Sequence, residues 1–225
     1  MKITIVIFLF LIFSSITKAQ NVFREGLIVY KCDSATNQKG NRLLSIYREI
    51  RLYKKNDLYR LETIKRNLNN KLDDEIEVQI INENGKYIFN DSDISLKQIS
   101  LFVSVEEEKQ LLSQRALTGQ LYVYEVEKTI SHKPILNFLV EEIILENMNT
   151  RQYIHVVLTK DIKTSFGLFY EQYRKLEGTP FQFYDHEGDT SFHYNVVSIK
   201  QMKLSNEMFY LKKNYKVLTL DQISK

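Results

Sequence analysis

Asp185, His186, Glu187, Asp189 and His193 crowd into nine positions near the C-terminus. Carboxylates and imidazoles are the side chains that hold zinc and other transition metals. Their spacing argues against a metal centre. The histidines stand seven apart with a glycine-containing turn between them, and no His-Glu-x-x-His run sets two imidazoles on one helical face. A solvated turn accounts for these residues, and no metal or other cofactor is expected. His155 alternates with Tyr153 and Val157, as a strand histidine does. No Gly-x-Ser-x-Gly elbow is present, and the 7 glycines do not form a phosphate-cradling loop. Glu106-Glu107-Glu108 reads as negative charge at a helix N-terminus, not as paired catalytic carboxylates. Cys32 alternates with Ile28 and Tyr30 and reads as a core thiol. These residues point to a protein that is not an enzyme.

The element that organises the chain is the stretch Leu176–Tyr215. Gly178 and Pro180 punctuate its start, and His186–Asp189 joins two aromatic-rich strands. A short amphipathic segment then ends on Phe209-Tyr210. Upstream, the patterns predict strands over Gly26–Cys32, Leu43–Tyr53, Asp57–Ile64, Ile76–Ile81, Lys86–Phe89, Leu121–Lys128 and Gln152–Thr159, while Asn137–Glu146 reads as a strand or a short helix, with the strand favoured. Within Leu43–Tyr53, Leu44, Ile46, Ile50 and Leu52 share a face that Arg48 interrupts. Asn82-Glu83-Asn84-Gly85 is a hairpin signal. Ser104–Leu117 reads as a helix: Ser104 and Glu107 have capping-box spacing, and Leu111, Leu112 and Leu117 form its apolar face. Phe166, Phe169, Tyr170 and Tyr173 recur at helical spacing and predict a second helix over Ser165–Leu176.

Composition agrees with this pattern. With 14 Tyr, 13 Phe and only 2 Pro, the chain suits half-buried pleated surfaces and contains no linker. The fold class expected is mainly β (α+β): a large curled antiparallel sheet, a half-barrel of nine or ten strands, with two or three covering helices.

The N-terminus reads as an export signal. Ile3–Phe13 is apolar but shorter than the ~20 residues that span a bilayer, and Thr17 and Ala19 form a small-x-small cleavage site before Gln20. Residues 1–19 are thus a signal peptide, and residues 20–225 a single domain of 206 residues with no transmembrane segment. Removing Lys2 and Lys18 lowers the net charge from +3 to +1, which suits neither nucleic acid nor another polyanion. The destination is the periplasm or the extracellular space. A single cysteine excludes an internal disulfide.

Several short motifs carry a resemblance. They are Gly26-Leu27-Ile28-Val29-Tyr30, Tyr53-Lys54-Lys55-Asn56-Asp57-Leu58-Tyr59-Arg60, Thr159-Lys160-Asp161-Ile162, Gly178-Thr179-Pro180, and Val196, Val197 and Ile199 before a closing Tyr215-Lys216. Together these resemble secreted proteins of Bacteroidota with the outer-membrane lipoprotein-carrier (LolA/LppX-like) fold and the neighbouring GLPGLI exported family. Two departures stand out: Asn214 replaces a glycine before Tyr215, and Leu176–Pro180 only approximates the GLPGL run. The resemblance implies a half-barrel with a helical lid that binds lipid or lipoprotein acyl chains.

The function expected is therefore an exported binding or carrier protein for an apolar small molecule or lipid. Candidate pocket residues are Ile46, Ile50, Tyr122, Tyr124, Phe181, Phe183 and Phe192 from the sheet, and Leu111, Leu112 and Phe169 from the lid. The alternative is a non-catalytic structural or interaction protein of the cell envelope, whose exposed aromatics meet a protein partner.

Overall fold

The computed structural model describes residues 23–37, 39–42, 46–67, 74–91, 98–117, 124–131, 133–147, 153–187 and 189–223. The proposed signal peptide and Tyr122 lie outside them. Six strands form a first meander: β1 (Glu25–Asn37), β2 (Ile46–Lys55), β3 (Leu58–Asn67), β4 (Asp74–Asn82), β5 (Gly85–Asn90) and β6 (Ile99–Val103). Helix α1 (Val105–Leu117) follows. A second meander contains β7 (Tyr124–Ser131), β8 (Glu141–Asn147), β9 (Tyr153–Thr159), β10 (Thr179–Glu187) and β11 (Thr190–Gln201). Strand β12 (Lys216–Thr219) and the short helix α2 (Leu220–Ile223) end the described chain. The strands make one mainly β sheet that curls without closing, in the order β12-β6-β5-β4-β3-β2-β1-β11-β10-β9-β8-β7. The two meanders fuse where β1 pairs antiparallel with β11.

Local chemistry fixes the turns. Between β2 and β3, Asn56 takes a left-handed φ of 53°, which asparagine tolerates better than most residues. At the β4–β5 turn the Asn84 amide donates to Asn82 Oδ1 at 3.0 Å. Gly85 there has φ 141°, and a Cβ would lie 2.6 Å from the Val103 carbonyl oxygen, so a side chain would push β6 away. The Ser104 capping box forms as its spacing predicts: the Glu107 amide donates to Ser104 Oγ at 3.2 Å, and the Ser104 amide to Glu107 Oε2 at 2.7 Å.

Two expectations need correction. Among the described residues the sheet has twelve strands, because Ile99–Val103 and Lys216–Thr219 also extend. Neither shows alternation long enough to mark a strand, and β12 is held by parallel pairing to β6. The helix expected over Ser165–Leu176 is two 3₁₀ turns, Phe166–Leu168 and Glu171–Tyr173, broken by an extended Tyr170 at φ −126° and ψ 99°. The two turns fold against each other so tightly that a Cβ on Gly167 would lie 2.3 Å from Arg174 Cα. This strap covers the concave face of the sheet.

The main core lies under the strap. Phe183 is its hub, with Tyr30, Phe166, Tyr170, Tyr173 and Tyr194 rings centred 4.8–5.9 Å away. Tyr173 also accepts from the Tyr184 amide at 3.0 Å, which pins the strap to β10. A smaller core on the opposite face joins Val78, Ile80 and Phe89 to Tyr215.

Candidate functional site

The candidate site lies where the strap stops filling the concave face. On β5, Lys86 and Ile88 alternate with Tyr87 and Phe89 and so share a side; they pair with Val103 and Leu101 of β6. Above these four residues lie α1 and the first 3₁₀ turn. Between them is a cavity of about 490 Å³, walled by Ile88, Leu101, Val103, Leu111, Leu112, Leu168, Phe169 and Leu220, with Lys86 on its floor. Helix α1 roofs it loosely: none of its described side chains is fully buried, and Leu111 and Leu112 are only half-buried. Two ion pairs tie α1 to the strap, Arg115 Nη1 to Glu171 Oε2 at 2.8 Å and Arg174 Nη2 to Glu108 Oε1 at 3.2 Å. Each involves an exposed arginine and adds little stability.

Lys86 is the charge on the sheet side of the cavity. Its ammonium donates to the Leu168 carbonyl at 3.0 Å and lies 5.8 Å from the centre of the Phe169 ring. Burial pushes its pKa down, and the negative charge of Glu108 works the other way. On the strap, Glu171 Oε1 is buried with no hydrogen-bond donor among the described residues.

Not all of the expected lining residues are brought together. Leu111, Leu112 and Phe169 stand on the cavity wall. Ile50, Phe181, Phe183 and Phe192 are instead buried in the main core, where strap or strand neighbours cover them. Ile46 and Tyr124 occupy strand ends whose side chains are not described, and Tyr122 lies outside the described residues. Sequence reasoning misses Lys86, Ile88, Leu101 and Val103. The signal available was the alternation of Lys86 with Ile88 on one short strand.

Of the polar residues in the last hairpin, Glu187 and His193 are each paired to side chains of other strands. Glu187 bridges Arg48 and Lys65, the latter at 2.9 Å. Burial acts to raise the Glu187 pKa, but hydrogen bonds from Arg48 and Lys65 outweigh it and hold the carboxyl below its usual range. The Arg48 guanidinium stacks 3.7 Å above the centre of the Phe192 ring, which explains how a cation interrupts an apolar strand face. His193 Nδ1 meets Asp33 Oδ1 at 2.8 Å, and His155 Nδ1 meets Glu142 Oε1 at 2.6 Å. Among the described residues, no three His, Cys, Asp or Glu groups converge as metal ligands would. The Cys32 thiol donates to the Ser34 carbonyl at 3.2 Å, and burial pushes its pKa up, away from reactivity.

A second cavity, of about 320 Å³, lies on the opposite face between Tyr87, Tyr210 and Tyr215. Two of its polar side chains are engaged: Asn82 donates to the Phe209 carbonyl and Tyr210 to Glu83. No helix among the described residues is long and apolar enough to cross a membrane.

No protein-family model matches the chain, and no curated protein matches it. Among solved structures, PNGF-II aligns with 89% of this chain and 33% of its own, at 15% identity and a TM-score of 0.44. This chain therefore spans about a third of the length of PNGF-II. A β-barrel-like protein of a domain of unknown function from Brucella abortus aligns with 80% of this chain and 97% of its own, at 8% identity and a TM-score of 0.29. Neither likeness bears on what this chain binds.

Proposed function

We propose that this chain is an exported, non-catalytic binding or carrier protein that holds an apolar ligand, a lipid or acyl chain, between β5–β6, α1 and the strap. The observation that carries this reading is the cavity: about 490 Å³, with seven aliphatic residues and Phe169 on its walls and charged residues at its border. Ligand pockets run ~300–1,000 Å³ and are lined mainly by apolar side chains. The thinly anchored α1 gives the site a wall that can move for entry, because segments with few buried contacts open at low cost. The apolar run Ile3–Phe13 supports export, and the strand motifs that resemble lipoprotein carriers support an acyl ligand. Native mass spectrometry with lipid extraction tests the reading on residues 20–225 purified from a cell-envelope fraction. A co-purifying acyl species near one per chain is expected. A clean apo mass that takes up no added lipid overturns it.

A second reading, an envelope interaction protein, is favoured by a different region. Leu139 is 70% exposed, Leu136 is exposed with a left-handed φ of 49°, and β7 is an edge strand with Val126 exposed. Exposed leucines beside an open edge suit strand addition by a protein partner.

A further inference from the structure

We infer that the ligand is an amphiphile with one anionic head group, and that Lys86 is the residue that receives it. The inference rests on the cavity reading above and names the chemistry of its ligand. Three cations and two carboxylates border the cavity. Arg115 is taken by Glu171 and Arg174 by Glu108. Lys86 makes no ion pair among the described residues, and its one hydrogen bond goes to a neutral carbonyl, that of Leu168. An ammonium has three N–H donors, so two are left over.

The carboxylates whose fields reach Lys86 are engaged elsewhere, Glu77 by Gln79 and Glu108 by Arg174. The residues paired with Lys86 across the two neighbouring strands are Ile81 and Val103. A half-buried ammonium with no carboxylate in hydrogen-bond contact is costly to keep. A carboxylate or phosphate seated on it would complete the charge balance of the cavity, while the tail lies along Leu111, Leu112 and Phe169. The aromatic face near the ammonium does not replace such a partner, because at 5.8 Å the attraction is weak.

The test titrates the protein with the neutral dye N-phenyl-1-naphthylamine. The dye is then displaced with dodecanoate, dodecyl phosphate and dodecanol below their micelle concentrations. Dye binding reports on the cavity; the difference between the anions and the alcohol reports on Lys86. An anion should displace the dye at about ten-fold lower concentration than dodecanol, as a charge-assisted hydrogen bond allows. Lys86→Met should retain dye binding and abolish the difference, and Lys86→Arg should keep it. Dodecanoate acting ahead of dodecyl phosphate identifies a carboxylate head, and the reverse order a phosphate. Equal displacement by all three, with the dye bound, overturns the head-group inference and leaves the cavity reading standing. A protein that binds no dye overturns both.

Discussion

The concave face has two halves that the same strap treats differently. Over β1, β10 and β11 the strap inserts Phe166, Tyr170 and Tyr173 among Tyr30, Phe183 and Tyr194, and the space is filled by stacked and edge-on rings. Over β5 and β6 it offers Leu168 and Phe169 and leaves a gap beneath α1. The filled half uses large rings on both surfaces. The open half sets aliphatic strands against a helix whose only described large apolar residues toward the cavity are Leu111 and Leu112. One curled sheet thus makes a core over its middle strands and a cavity over β5 and β6. The covering side chains decide which.

The largest effect expected is on the filled half. Phe183→Ala should cost ~3–5 kcal/mol, because it removes a fully buried ring at the centre of the cluster. Urea denaturation checks this, and a loss under about 1 kcal/mol would erase the contrast between the halves. Ser104→Ala should cost ~1 kcal/mol by removing the cap of α1, and hydrogen exchange should quicken in α1 before it quickens in the core strands. Equal quickening everywhere would mean that α1 unfolds only with the whole protein.

The smallest effect concerns Glu187. Its folded pKa lies below its unfolded one, so its contribution is fully present above about pH 4.5 and is lost as pH falls through the folded value. The side chain is half exposed, so the change should stay under ~1 kcal/mol. Glu187→Gln should flatten this part of the acid-stability profile, read by thermal melts from pH 6 to pH 3. An unaltered profile would remove the Arg48–Glu187–Lys65 bridge from the account.

Much of the fold was legible where the signal is local. The Asn84-Gly85 turn, the Ser104–Glu107 capping box and the period-two strands rest on residues close in sequence. Arg48 was visible as an interruption, but its cause is Phe192 and Glu187, far along the chain. The strap escaped because its two turns are set by contact with each other, the helical spacing of Phe166, Phe169, Tyr170 and Tyr173 notwithstanding. For the site, aromatic content marked surfaces to be covered but not which would stay open. Phe181 and Phe183 carried the same signal as Phe169, yet packing covers the first two and leaves the third on the cavity wall. Strand β6, half of the cavity floor, is five residues long and too short to announce itself.

The central claim is that the gap beneath α1 binds an apolar molecule. The most direct measurement compares N-phenyl-1-naphthylamine binding by the wild type and by Leu112→Trp, which places an indole in the gap without touching the aromatic core. The account predicts saturable binding at one dye per chain in the wild type, lost in a variant that melts within a few degrees of it. Unchanged dye binding by a folded Leu112→Trp would contradict it.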